Sequence, residues 1–97
     1  MDHRPNILFV LTDQQRPDWL EMNPAIPVRT PNLRHLAARG TWFTNAICPS
    51  PLCVPSRACL SSGNEYDRCD VRSNNAPYRH EQTTYQRRLR DEANYHT

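Results

Sequence analysis

The run Ile7-Leu8-Phe9-Val10-Leu11 is apolar at every position and closes on Thr12-Asp13-Gln14. A half-exposed antiparallel strand alternates apolar and polar side chains, because successive residues point to opposite faces. An unbroken apolar run of this length instead predicts a strand covered on both faces, as in the mostly parallel sheets of α/β proteins. The expected fold class is therefore α/β, with helices flanking the sheet. Ligands of open α/β sheets gather at the carboxyl ends of strands. Asp13 falls at that end, which makes it a candidate functional acid; the competing reading is a turn residue or helix cap after the strand.

The second constraint is Cys53-Val54-Pro55-Ser56-Arg57, followed by Ala58-Cys59-Leu60-Ser61-Ser62-Gly63. Pro55 suits the first turn of a helix, since its fixed φ is helical and its missing N–H would be unpaired there. Ser56 to Leu60 continue that helix and Gly63 stops it. Cys53 is then expected just before the helix N-terminus, where free N–H groups and the dipole favour an anion. Arg57 lies four residues on and can reach back toward the same point.

Two more helices are predicted. Thr30-Pro31 opens one that carries Leu33, Leu36 and Ala37 on a single stripe and ends at Gly40, with His35 on its solvent side. Trp42 to Ala46 then reads as a short strand-like run, with Trp42 and Phe43 as packing residues. Thr83 or Thr84 caps a later helix with Leu89 and Ala93 on one side and Arg87, Arg88 and Arg90 on a solvated face. Asn94 takes the left-handed position beyond it, and Tyr95-His96-Thr97 reads as the opening of a further strand.

The Cys53 to Arg57 run resembles the signature of the sulfatase family, in which the cysteine of a C-x-P-S-R run is oxidised to formylglycine. Thr30 to Ala46 is similar to the family pattern nearly position for position, and residues 4–14 look like its first strand. The resemblance implies an alkaline-phosphatase-like sheet and hydrolysis of sulfate esters. One hydroxyl of the hydrated aldehyde made from Cys53 attacks sulfur, and the other later expels sulfate; a plain serine would remain as a stable sulfate ester. It also implies a divalent metal, calcium first and magnesium or manganese as alternatives, held by Asp13, Gln14 and residue 53, with Arg57 as a catalytic cation. Gln14 departs from the second Asp common in the family and resembles the choline-sulfatase and phosphonate-hydrolase side; its amide oxygen ligates without formal charge. Residues 64–70 replace the family's Arg-Tyr-Pro-His stretch, so no histidine role carries over there. The implied partners are a sulfate-ester small molecule or sulfated sugar and a formylglycine-generating maturation enzyme.

The family's later lysine, histidine and metal ligands have no counterpart here. The resemblance therefore implies that residues 1–97 are a partial N-terminal catalytic domain, inactive and poorly folded alone. Net charge is +2 with balanced acids and bases, which argues against nucleic acid as a partner. No run of about twenty apolar residues exists for a membrane span, and Met1 to Arg4 leaves no room for a signal peptide, so a cytoplasmic location is expected if Met1 is the genuine start. Cys48, Cys53, Cys59 and Cys69 lack the paired C-x₂-C spacing of zinc modules. A disulfide framework is not expected without an export signal. The alternatives are a phosphonate or phosphate ester hydrolase of the same superfamily, a non-catalytic remnant, and a small zinc-binding module.

Overall fold

The computed structural model describes residues 4–97. The chain divides into two compact units, Met1–Thr44 and Asn45–Thr97. Among the described residues four helices follow in order: α1 (Pro31–Arg39) in the first unit, then α2 (Cys53–Ser62), α3 (Tyr66–Cys69) and α4 (Tyr85–Ala93) in the second.

The first unit is organised around a clasp rather than a sheet. Leu20 is buried. The next residue, Glu21, donates its N–H to Thr30 Oγ1 at 3.0 Å, while Thr30 returns its own N–H to Glu21 Oε2 at 2.9 Å. Thr30 sits at the α1 N-cap, yet its side chain makes no capping bond; the clasp uses its hydroxyl instead. Pro31 occupies the first helical position as predicted, and the first intrahelical bond runs from Arg34 N–H to Thr30 O at 3.0 Å. Arg34 Nε also pairs with Glu21 Oε1 at 2.9 Å.

The predicted sheet is not formed: among the described residues there is no β-strand. A strand is completed by a neighbour's backbone, and an apolar strand of this kind needs cover on both faces. The run meets no such cover, and Ile7, Leu8 and Val10 stand 62, 89 and 73% exposed. Trp42 and Phe43, expected to pack, are exposed for the same reason, and Thr44-Asn45 turn where a strand was predicted. Leu33 and Leu36 on α1 are exposed too. His35 is exposed, as predicted.

The second unit has a small core. Ala58 and Cys59 of α2 meet Cys69 at the end of α3 and Val71, with Val54, Ala76 and Tyr78 packed against them. Gly63 closes α2 at φ 69° and donates its N–H to Cys59 O at 2.8 Å; glycine meets that left-handed geometry without a Cβ clash. Thr84 caps α4 by accepting the Arg87 N–H at 3.2 Å. Asn94 takes the left-handed position at φ 54°, and Tyr95 N–H reaches Leu89 O at 2.9 Å. Leu89 and Ala93 are half-buried while Arg87, Arg88 and Arg90 are exposed, the solvated arrangement predicted.

Candidate active site

Cys53 is the first residue of α2, one place further into the helix than predicted, and Leu52 is the N-cap at φ −97°, ψ 142°. The first intrahelical bond joins Ser56 N–H to Leu52 O at 3.0 Å. The N–H groups before it lack helical partners, as at every helix start. Pro55, buried at the third position, has none to satisfy. The Val54 N–H goes to Asn74 Oδ1 at 3.1 Å. Cys53 itself is exposed at the positive end of the helix. Arg57, also exposed, is four residues on, the spacing that puts two side chains on one helix face.

The approach to Cys53 is fastened by hydroxyls and a thiol. Ser50 is buried, and its Oγ accepts the Leu52 N–H at 3.3 Å. The Cys48 thiol donates to Ser50 O at 2.9 Å, so at 2.9 Å from Ser56 Oγ its sulfur receives the serine hydroxyl. That hydroxyl holds the Cys48 thiol below its ordinary pKa. The loop is thereby tied to the first turn of α2.

Beside the same helix lies a cavity of about 390 Å³, walled by Val54, Arg57, Ala58 and Ser61 from α2 and by Tyr78 and Thr84 opposite. The Tyr78 hydroxyl is buried with no hydrogen-bond partner among the described residues, and burial pushes its pKa up.

In the first unit, Asp13 and Gln14 are adjacent and exposed. Gln14 has φ 54°, a left-handed backbone that non-glycine residues seldom adopt. The other non-glycine residues of this kind, Asp70 and Asn94, each close a helix. Gln14 closes none. A carboxylate and an amide oxygen are the hard donors that calcium or magnesium prefers, though calcium takes about six to eight. Among the described residues no group of three or more His, Cys, Asp or Glu side chains is placed to hold a metal. The zinc-module alternative thus finds no ligand cluster there.

Sequence reasoning missed Asn74. Capping preference is a local signal, whereas this acceptor reaches α2 from twenty residues beyond Val54.

The family model for sulfatases matches residues 5–97. The chain is 38% identical over 94 residues to a choline-sulfatase of Rhizobium meliloti, covering 97% of this chain and 18% of that protein. It is 37% identical over 94 residues to an uncharacterized sulfatase, YidJ, of Escherichia coli, covering 97% and 19%. An arylsulfatase of Clostridium perfringens is 40% identical over 60 residues, covering 62% and 12%. No solved structure matches the chain. The chain belongs to the sulfatase family. It spans about a fifth of the length of the first two of these relatives.

Proposed function

We propose that residues 1–97 are the N-terminal part of a sulfatase catalytic domain in which Cys53 is the precursor of the nucleophile. The observation that carries this reading is an exposed Cys53 at the positive end of α2, with Arg57 one turn behind it. Oxidation of Cys53 to formylglycine supplies the hydrated aldehyde that attacks sulfur. The helix end and the Arg57 guanidinium then favour the sulfate anion at the same point. Ser50, Cys48 and Ser56 hold the loop that presents residue 53.

A hard divalent cation, calcium in preference to magnesium or manganese, supplies charge to polarise the sulfate oxygens. Asp13 brings it a carboxylate and Gln14 a neutral amide. The left-handed backbone at Gln14 supports this assignment, since strain of that kind collects at functional sites. The substrate is a sulfate ester, either a small molecule or a sulfated sugar, and a formylglycine-generating enzyme matures Cys53.

Residues 1–97 alone are not expected to hydrolyse sulfate esters, because the exposed Ile7 to Leu11 run still needs cover. The test is peptide mass spectrometry on the complete protein made with its maturation machinery. An aldehyde at residue 53 in active enzyme is the expected result. Active enzyme carrying only an unmodified Cys53 thiol overturns the proposal.

A further inference from the structure

Two thiols of the second unit, Cys59 and Cys69, have no part in the catalytic reading. Cys59, in the middle of α2, is 3% exposed, and Cys69, at the end of α3, is fully buried. Both belong to one small buried cluster with Ala58 and Val71, in which α2 packs against α3. The Ser62 hydroxyl lies between the two residues, 3.4 Å from Cys59 O and 3.8 Å from Cys69 Sγ. Cys59 also forms part of the wall of an open groove of about 650 Å³, which Ile47, Cys48, Ser56, Leu60 and Glu65 line as well. The buried pair can thus be reached from one side, past the exposed thiol of Cys48.

We propose that Cys59 and Cys69 are a reversible redox pair, closed to a disulfide by a disulfide-class oxidant such as oxidised glutathione entering through this groove. The Cys59 thiolate attacks a sulfur of the oxidant, forming a mixed disulfide and releasing one thiol. Cys69, from the same buried cluster, then attacks Cys59 sulfur, forming the intramolecular bond and releasing the second thiol. Two protein thiols lose two electrons and two protons, and the oxidant's disulfide gains them. The product ties α2, the helix that begins at Cys53, to α3.

Burial raises the Cys59 pKa first, followed by the neighbouring Cys69, Glu65 and Cys48. The pair therefore closes slowly at neutral pH and faster as pH rises, since the thiolate is the attacking form. Cys53 and Cys48 take no part in the product. The proposal rests on the packing of the second unit and stands apart from the sulfatase chemistry.

The test uses the intact, reduced protein equilibrated in glutathione buffers from fully reduced to fully oxidised, then blocked with N-ethylmaleimide and digested with trypsin. Cleavage after Arg57, Arg68 and Arg72 separates Cys59 from Cys69 and leaves Cys48 and Cys53 together on a different peptide. The expected product is peptide 58–68 joined to peptide 69–72, two hydrogens lighter than the pair of free thiols and reversed by reduced glutathione. The proposal fails if both peptides stay blocked by maleimide in fully oxidised buffer, or if peptide 58–68 is joined instead to the peptide carrying Cys48 and Cys53.

Discussion

Asn74 accepts the backbone N–H of Val54 at 3.1 Å, so a residue twenty positions away caps the helix that starts at Cys53. The N-cap residue, Leu52, has no side-chain acceptor to offer. Asn74 takes over that role from the loop opposite.

Replacing it tests the arrangement. Asn74→Ala removes the acceptor and should cost about 1 kcal/mol of stability, the usual worth of a helix cap. Asn74→Asp keeps an oxygen at the same place and should lose much less. Urea unfolding of the intact protein measures both; equal losses in the two variants would remove the capping role.

Gly63 gives a second prediction. Its φ of 69° is left-handed, and a Cβ built there meets nothing within 4 Å. The cost of Gly63→Ala is then backbone strain alone, about 1 kcal/mol. Gly63→Asn should be milder, because asparagine tolerates that region. A melting temperature unchanged by Gly63→Ala would show that α2 ends differently in solution.

Asp13 and Gln14 differ in charge, and the proposed metal role should show it. In the complete enzyme, Asp13→Asn should weaken divalent-cation binding and lower sulfate-ester hydrolysis by orders of magnitude, with little change of shape. Gln14→Ala should do less, since a neutral amide contributes less to holding a hard cation. Calorimetric titration with calcium reads the binding directly. Wild-type affinity in Asp13→Asn would remove the assignment.

Cys48 and Cys59 should separate by pH. The Ser56 hydroxyl lowers the Cys48 pKa, whereas burial raises that of Cys59. The thiolate is the reactive form. Iodoacetamide should therefore label Cys48 at a pH where Cys59 remains a thiol, and Cys59 should follow only as pH rises. Peptide mass spectrometry after brief labelling follows each site. Removing the hydroxyl with Ser56→Ala should move the Cys48 profile to higher pH; an unmoved profile would show that Ser56 does not set it.

Local chemistry was legible in the chain itself. Pro31 and Pro55 in first turns, Gly63 and Asn94 in left-handed closing positions, and Thr84 as a cap all follow from what each residue's own φ or side chain permits. The same reading set Cys53 just before the helix that carries Arg57 four residues on, and the structure moves it one place inward, to the first helical position. These are short-range effects, and a sequence states them directly.

The sheet was a different kind of inference. Ile7 to Leu11 carry the pattern of a buried strand, but that pattern specifies a surface to be covered rather than what covers it. Without cover the run stays exposed and no ladder forms among the described residues. Pairing needs a second backbone at the right distance, and that lies outside any local rule.

The sequence by itself determined α1, α2 and α4, their ends and the Cys53 motif that marks the family, whereas the short α3 had no signal in it. Tertiary structure alone decided that Asn74 caps α2, that Thr30 gives its hydroxyl to Glu21 instead of to its own helix, and that Cys59 and Cys69 share one core. Each of these joins residues separated by many positions. Their meeting depends on how whole segments pack, since chain spacing fixes neighbours only within a turn or two.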